Sequence, residues 1–558
     1  MDKKAAIVIC FNAWNDLSTD TTIDFLKDIF EKTNYDNYEV ILYENNSKPE
    51  LLKKVFNYIN SISTRKIVLI SPVNKVWYNM NREYNDATKI TDAEIFVFAN
   101  NDMKIINEDW LKNAVKWLYS DSSIGMACPH TNITYGNFFG CEKCPLVETE
   151  KEGKYYSCLF TKGCTKRFQD NSQVLWNREW PSMGIYICTR ETLEKVGMHD
   201  TDVDFFGQDM STMLKFENAG FKVVVAMDSL VEHYGEGHLT LDYIARDGSN
   251  DYNFRAIHAY KNISEYLKQN SRMSALHVSS RIEWDKWYEN NYINPNPPFS
   301  REEYNKWVEL HKDEWSNEVK YAHATVAIIC TLQNSILTEL AINAIESVIN
   351  SIKDTNKDDS ELIIYENNSE PFERVKLFEY LSKKKLNSDI PIKWISVSYE
   401  KFNINKVYNR IARFTRNEIL CFANQDIEVI NKEWLRNAMN WLLFSEYRNK
   451  IGVLLTSAHE SVPARHDNIR TVPEHILNKC GDTPMPIFFI KRSVLNSIGG
   501  FNENFPFAYA DKSLYEQISL TNFNLYGARD VLIKHYEGHP VSDPKGKRVD
   551  MVRDLEIR

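Results

Sequence analysis

Residues 96–118 read FVFANNDMKIINEDWLKNAVKWL, and residues 420–442 read LCFANQDIEVINKEWLRNAMNWL. Each stretch opens as a short apolar run, reaches an Asn-x-Asp triplet, and continues with tryptophan and leucine at helical spacing. The order is strand, polar turn, helix, and it is stated twice. Asp102 and Asp426 lie 324 positions apart, as do Trp110 and Trp434, and Asn85 and Asn409. Other pieces recur with drifts in spacing: LYENNS at 42–47 and IYENNS at 364–369, then VEHYGEGH at 231–238 and IKHYEGH at 533–539. A period this long is the length of a domain rather than of a solenoid repeat, so the chain carries two related domains.

Outward from the first triplet the same alternation continues. Strands are expected at Ala5–Cys10, Glu39–Tyr43, Lys66–Ile70 and Glu94–Ala99, with helices over Thr21–Lys32, after Pro49, around Tyr78–Lys89 and over Glu108–Tyr119. Short apolar strands alternating with helices predict an α/β fold, a mostly parallel sheet covered on both faces. Ligands of such sheets bind beyond the carboxyl ends of the strands. Phe11-Asn12, Glu44-Asn45-Asn46 and Asn100-Asn101-Asp102 all fall there, as do Glu366 and Asn424-Gln425-Asp426 in the second repeat. The expected division is residues 1–240, a bridge over 241–321, a second domain over 322–545 and a polar tail over 546–558. The bridge is rich in tryptophan (Trp284, Trp287, Trp307, Trp315) and reads as packed helices broken by Asn294-Pro295-Asn296-Pro297-Pro298.

Composition sets the class. With 558 residues, 43% hydrophobic and 26% charged, the chain reads as an ordinary soluble globular protein of two or three domains. Lys+Arg number 67 against Asp+Glu 77, a net charge of -10, which gives no general attraction for nucleic acid or an anionic membrane. The opening MDKKAAIVICFN enters an apolar strand too short for a signal h-region, and no transmembrane run appears; a cytoplasmic protein is expected. Cys10, Cys128, Cys330 and Cys421 sit inside apolar strands and read as reduced core thiols.

The candidate chemistry lies in the repeated polar residues. An aspartate ending an apolar strand suits a hard divalent cation, which can neutralise a diphosphate; the competing reading is an Asx-turn leading into the next helix. Asp102 and Asp426 are the candidate charged ligands, with Asn100 and Asn424 beside them. His233 and His535 end a late strand in matching contexts, and histidine beside carboxylate shifts preference from Mg²⁺ toward Mn²⁺. Asp209 and Asp511 open amphipathic helices, where the helix N-terminus keeps a carboxylate ionised. Such a group serves as a cap, as a general base, or as both.

These residues resemble glycosyltransferase family 2, whose fold is called GT-A: a Rossmann-like nucleotide-diphospho-sugar transferase architecture. The resemblance covers most of residues 1–240 and 322–540, with five motifs in order, twice. It implies two tandem GT-A domains joined by a helical bridge. The family's opening strand ends in a turn that falls on Cys10-Phe11-Asn12 and, less closely, on Cys330-Thr331-Leu332. Its nucleobase-contacting acid falls on Glu44 and Glu366, where Asp is usual, with Asn46 and Asn368 nearby; a further donor-side asparagine falls on Asn85 and Asn409. Its metal-binding DXD falls on Asn100-Asn101-Asp102 and Asn424-Gln425-Asp426, with Asn in place of the first Asp. Its catalytic base falls on Asp209 and Asp511, where Gln208 and Ala510 replace the first acid of the pair. A third metal ligand in several relatives falls on His233 and His535. The resemblance implies inverting transfer of a sugar from a UDP-, GDP- or TDP-type donor to a hydroxyl of a glycan, polysaccharide or lipid-linked glycan, with Mn²⁺ or Mg²⁺.

The halves differ around residues 130–180, where the first carries Cys141, Cys144, Cys158 and Cys164. One C-x-x-C within four thiols fits a structural Zn²⁺ and equally fits four unrelated thiols. Rival readings are two active domains, one active domain beside a degenerate acceptor-binding domain, and a non-catalytic sugar- or nucleotide-binding scaffold; a homo-oligomer is open in each. A dinucleotide dehydrogenase is disfavoured, because no G-x-G-x-x-G follows the first strand.

Overall fold

The computed structural model describes residues 3–45, 47–62, 66–72, 79–131, 184–201, 208–233, 324–355, 360–367, 369–384, 390–460, 476–481, 485–506 and 509–536, with short backbone stretches elsewhere. Asn46, Asn368, Cys141, Cys144, Cys158 and Cys164 lie outside the described residues, as do His238, His539 and nearly all of the expected bridge. The chain divides into two compact units, 1–65 with 77–319 and 66–76 with 320–558.

The first unit is a mixed α/β sheet. Its strands are β1 (Ala5–Phe11), β2 (Tyr38–Glu44), β4 (Ile95–Asn100), β5 (Met103–Ile105), β6 (Ile124–His130), β10 (Ile185–Thr189) and β11 (Lys222–His233). β3 (Ile67–Pro72) belongs to the second unit, and β7 (Val147–Glu148), β8 (Tyr156–Ser157) and β9 (Val174–Trp176) are short. β2, β1 and β4 run parallel, β10 lies antiparallel between β4 and β6, and β6 pairs in parallel with β11. Every residue of β1 and β2 is buried, Glu39 and Glu44 of β2 included. That is the mark of strands covered on both faces by helices. Helices Asp16–Lys32, Pro49–Ser61 and Met80–Lys89 begin with Asn15 as a capping box, Pro49 in the first turn, and Asn79 as N-cap.

The second unit repeats this plan with β12 (Ala324–Cys330), β13 (Ser360–Asn367), β14 (Ile392–Ser398), β15 (Ile419–Asn424), β16 (Ile427–Val429), β17 (Ile451–Glu460), β18 (Leu477–Cys480), β19 (Ile487–Lys491) and β20 (Asn524–His535). β14, β13, β12 and β15 are parallel, and β19 is antiparallel to β15 and β17. β3, which the sequence places in the first repeat, lies antiparallel to β14, with Ile70 opposite Ile395. Lys66 at its start pairs with Glu400, which also binds Arg410.

Register refines the alignment of the two repeats. Phe11 sits opposite Glu44, and Cys330 sits opposite Glu366. Phe11 therefore corresponds to Cys330, and Asn12 to Thr331, one position off the sequence match of Cys10-Phe11-Asn12 to Cys330-Thr331-Leu332. The backbone N–H of Ala13 donates to Ser47 Oγ at 2.8 Å, and that of Leu332 to Ser369 Oγ at 2.8 Å, which fixes the same correspondence. Cysteine at the two strand ends misleads the sequence alignment, because one thiol belongs to the strand interior and the other to its last residue.

Candidate functional site

Three strand ends meet in the first unit. Phe11 is opposite Glu44 on one side, and Cys10 is opposite Asn100 on the other. The side chain of Asn12 donates to the Asn45 carbonyl at 2.5 Å, and Glu44 Oε1 accepts the Ser47 N–H at 2.5 Å. Glu44 is fully buried. Asn100 holds its backbone by donating to the Gly184 carbonyl at 2.8 Å, while its own Oδ1 is buried without a hydrogen-bond partner. The second unit reproduces that backbone bond from Asn424 to the Pro486 carbonyl at 2.9 Å.

The repeated Asp and His come together in both units. β5 runs antiparallel to β11 with His233 opposite Met103, one residue after Asp102. His233 Nε2 lies 3.1 Å from Asp102 Oδ1. In the second unit β16 and β20 place His535 opposite Ile427, and His535 Nε2 lies 3.4 Å from Asp426 Oδ1. Residues separated by more than a hundred positions thus form the same pair twice.

The remainder of the quoted repeat explains how. Asn107 and Asn113 both donate to the Asp228 carbonyl, at 2.9 and 2.7 Å, and the Trp117 indole donates to Asp228 Oδ1 at 2.6 Å. Asn431, Asn437 and Trp441 do the same to Asp530, at 2.9, 2.9 and 2.8 Å. Asp228 and Asp530 sit where β11 and β20 slip register against their parallel neighbours. A bulge leaves backbone groups unpaired and re-aims the strand. The Asn–Asn–Trp clamp satisfies that bulge and delivers the last residue of the strand, the histidine, to the aspartate.

Asp511 is the second residue of helix Ala510–Ser519, whose N-cap is Tyr509, so it is not the cap. Its Oδ2 accepts the Met485 N–H at 3.1 Å, next to the Pro486 carbonyl that holds Asn424. A carboxylate there is favoured by the helix N-terminus. Asp209 has the same place in helix Gln208–Asn218; its side chain lies outside the described residues.

Asn85 and Asn409, expected as donor contacts, each bind loop backbone. Asn85 exchanges two hydrogen bonds with the His199 backbone, at 2.9 and 3.0 Å, and Asn409 does so with Phe501, at 2.9 and 2.9 Å. Each fastens the loop before the second-acid helix to the helix that carries the asparagine. Beneath them lie matching aromatic clusters, Tyr84, Phe98, Tyr186 and His199 in one unit and Tyr408, Phe422, Phe488 and Phe501 in the other. Burial pushes His199 down to about 3, so it is neutral; its Nε2 meets the Tyr186 hydroxyl at 2.6 Å and its Nδ1 meets Asn85 Oδ1 at 2.9 Å.

The units diverge at the second strand. Glu366 is fully buried and salt-bridged to Arg374, Nε to Oε2 at 2.9 Å, and accepts from Ser396 Oγ at 2.5 Å and the Ser369 N–H at 3.1 Å. Leu52 stands where the matching first-unit helix turn would carry that arginine. Gln425 accepts the Thr331 N–H at 2.6 Å, while its counterpart Asn101 donates to Thr22 at 2.9 Å. Sequence inspection missed one first-unit group: Glu83, in the first turn of helix Met80–Lys89, which is buried and bonded to Asn45. The signal for it was a charged residue on the apolar face of a helix; the second repeat has Val407 there.

The donor set fits a hard or borderline divalent cation: one carboxylate and one imidazole per unit, beside the unsatisfied Asn100 oxygen. Among the described residues no third histidine, cysteine or carboxylate joins either pair.

No family model matches the chain. It is 24% identical over 255 residues to the O-antigen biosynthesis protein RfbC of Myxococcus xanthus, a match to 43% of this chain and 18% of that protein. The chain thus spans under a fifth of the length of that curated relative. Among solved structures, GalNAc-T7 with UDP, GalNAc and Mn²⁺ is 15% identical with a TM-score of 0.32, over 41% of this chain and 44% of that one. The mannosyltransferase PcManGT of Pyrobaculum calidifontis, in complex with GDP-Man and Mn²⁺, is 15% identical with a TM-score of 0.31, over 56% of this chain and 85% of that one. Among the described residues, no helix is long and apolar enough to cross a membrane.

Proposed function

We propose that the chain is a metal-dependent glycosyltransferase with two GT-A domains, which moves sugars from nucleoside-diphosphate donors to hydroxyl acceptors with inversion. The observation that carries this reading is the Asp–His pair beyond the carboxyl ends of the parallel strands, built twice by the same bulge clamp. An O-antigen biosynthesis protein as a relative fits a polysaccharide or lipid-linked glycan as acceptor.

The roles follow from position. Asp102 with His233, and Asp426 with His535, would hold a divalent cation, which would supply Lewis-acid neutralisation of a departing diphosphate. Asn12, Glu44 and Asn100 line the donor side of the first unit. Asp209 and Asp511, in the first turns of their helices, would accept the proton of the attacking acceptor hydroxyl. Attack opposite the leaving diphosphate inverts the anomeric centre, through a transition state with oxocarbenium character.

A second reading has one active unit and one acceptor-binding unit, and a specific observation favours it. Glu366, as deeply buried as Glu44, is neutralised by Arg374, where the first repeat has Leu52. Calorimetric titration of the intact chain with UDP, GDP, CDP and TDP, each with Mn²⁺, separates the readings. Two sites, each abolished by Asp102→Ala or Asp426→Ala, support two active units. One site, lost with Asp102→Ala alone, supports the second reading. Binding of none of the four leaves a scaffold outside nucleotide chemistry.

A further inference from the structure

The helices that carry Asn85 and Asn409 commit more than those two residues to one loop. Both begin N-x-N-x-x-Y-N: Asn79, Asn81, Tyr84 and Asn85 in the first repeat, Asn403, Asn405, Tyr408 and Asn409 in the second. Asn79 caps its helix through Oδ1, which accepts the Arg82 N–H at 2.9 Å, and its Nδ2 donates to the Thr201 carbonyl at 2.8 Å. Asn81 Nδ2 donates to the Asp200 carbonyl at 2.7 Å, and Asn85 Nδ2 to that of His199. The second unit keeps the order. Asn403 Oδ1 accepts the Lys406 N–H at 3.0 Å, and its Nδ2 donates to the Glu503 carbonyl at 2.8 Å. Asn405 Nδ2 donates to the Asn502 and Phe505 carbonyls at 2.8 and 2.9 Å, and Asn409 Nδ2 to that of Phe501. Three consecutive loop carbonyls are thus taken by three asparagines of one helix, twice. Asparagine is a poor helix former, and Asn81 and Asn405 are buried inside their helices, so the loop rather than the helix accounts for them.

Each loop enters its ladder through a left-handed residue, Met198 at φ 65° and Gly500 at φ 85°. A methionine there is strained and persists because the surrounding bonds fix it. Asp209 stands ten residues after His199, and Asp511 ten after Phe501. In the second unit the link from ladder to acid is visible. The Ile404 N–H donates to the Pro506 carbonyl at 2.8 Å, Tyr509 caps the next helix, and Asp511 follows. Burial, and then the Asp511 carboxylate, hold the Tyr408 hydroxyl well above its ordinary range, so the acid lies within electrostatic reach of the ladder helix.

We infer that the two asparagine ladders are positioning devices for Asp209 and Asp511, fixing the loop that delivers each acid to its helix N-terminus. This deepens the function proposed above and rests on it. The asparagines hold loop backbone, and they act on proton transfer through the aspartates alone.

The test is made on the intact chain carrying Asn81→Ala with Asn405→Ala, which opens both ladders and leaves both helix caps. Release of nucleoside diphosphate from UDP-, GDP- and TDP-linked sugars with Mn²⁺ gives kcat, and calorimetry with the same diphosphates gives donor affinity. The kcat should fall roughly 10- to 100-fold, as for a catalytic group displaced by about an ångström, with affinity held within about twofold. In a chain that already carries Asp209→Asn and Asp511→Asn, the two alanines should cost nothing further, an outcome that general damage to the fold would not give. An unchanged kcat, a fall in affinity equal to the fall in kcat, or a full further loss on top of the aspartate changes overturns the ladders' role and leaves the transferase reading intact. Full turnover in the chain with both aspartates changed overturns the base assignment and the ladders with it. Absence of donor turnover in the unaltered chain overturns the transferase reading as well.

Discussion

Removing Arg374 exposes what the second unit has done with its strand-end acid. The pair is almost wholly out of water, Glu366 at 0% and Arg374 at 4% exposure. Arg374 also donates to Ser398 Oγ at 2.8 Å and meets Glu366 Oε1 at 3.2 Å. In Arg374→Leu, which copies the leucine of the first repeat, Glu366 keeps only its bonds from Ser396 and Ser369. Breaking one side of a buried ion pair costs about 3–5 kcal/mol, because a charge is left without its partner. At about 1.4 kcal/mol per decade, local opening becomes roughly 10²- to 10³-fold more frequent or somewhat beyond. Hydrogen exchange read on peptides covering 360–367 and 392–398 isolates the effect to these two strands, which pair directly. Adding Glu366→Leu to Arg374→Leu should recover most of the loss, since a well-packed apolar pair often equals a buried ion pair. Exchange unchanged within threefold in Arg374→Leu would refute the reasoning and return Glu366 to the list of available site acids.

Other expectations follow from single observations. Gly184→Ala puts a Cβ 3.1 Å from His233 Nδ1 and 3.1 Å from Met103 Sδ; the imidazole must shift, and Mn²⁺ affinity of the first unit should fall about tenfold by titration. Because Glu83 is raised to about 8 in the fold, the native state holds its proton where the unfolded chain has lost it. Stability of the first unit should therefore decline from about pH 5 to pH 8, and Glu83→Gln should flatten that decline in urea melts across the range. His199 has the opposite sign: lowered to about 3, it contributes stability above its unfolded pKa that is lost as pH falls from about 6.5 toward 3. The double change His199→Phe with Tyr186→Phe, which copies the second unit, should reduce that acid sensitivity. Asp228→Ala strips the Trp117 indole of a charged acceptor at 2.6 Å and should cost about 1.5–3 kcal/mol, with a parallel loss of Mn²⁺ binding as the bulge relaxes.

Much of this was legible in the sequence because it is written as periodicity and as repetition. Fully apolar runs gave strands of the right type within a few residues, and the strand-end triplets lie at the ends of β4 and β15. The Asp–His pairs were suggested by matching contexts, and their proximity depends on a register that no single stretch encodes. What stayed hidden has a common physical origin: it depends on who meets whom across the fold. Asn85 and Asn409 are polar and repeated, and nothing in either stretch shows that they bind loop backbone. The repeated Asn107, Asn113 and Trp117 gave no hint that all three converge on Asp228. The capture of β3 by the second unit rests on an edge pairing that a local reading cannot supply.

The most direct test of the central claim is donor turnover: release of nucleoside diphosphate from UDP-, GDP- and TDP-linked sugars with Mn²⁺, for the intact chain, Asp102→Asn, Asp426→Asn and the double variant. The account predicts that turnover falls by roughly 10²-fold or more once the working Asp–His pair is disabled, and that the double variant loses it altogether. A double variant that releases diphosphate at the rate of the unaltered chain would contradict it.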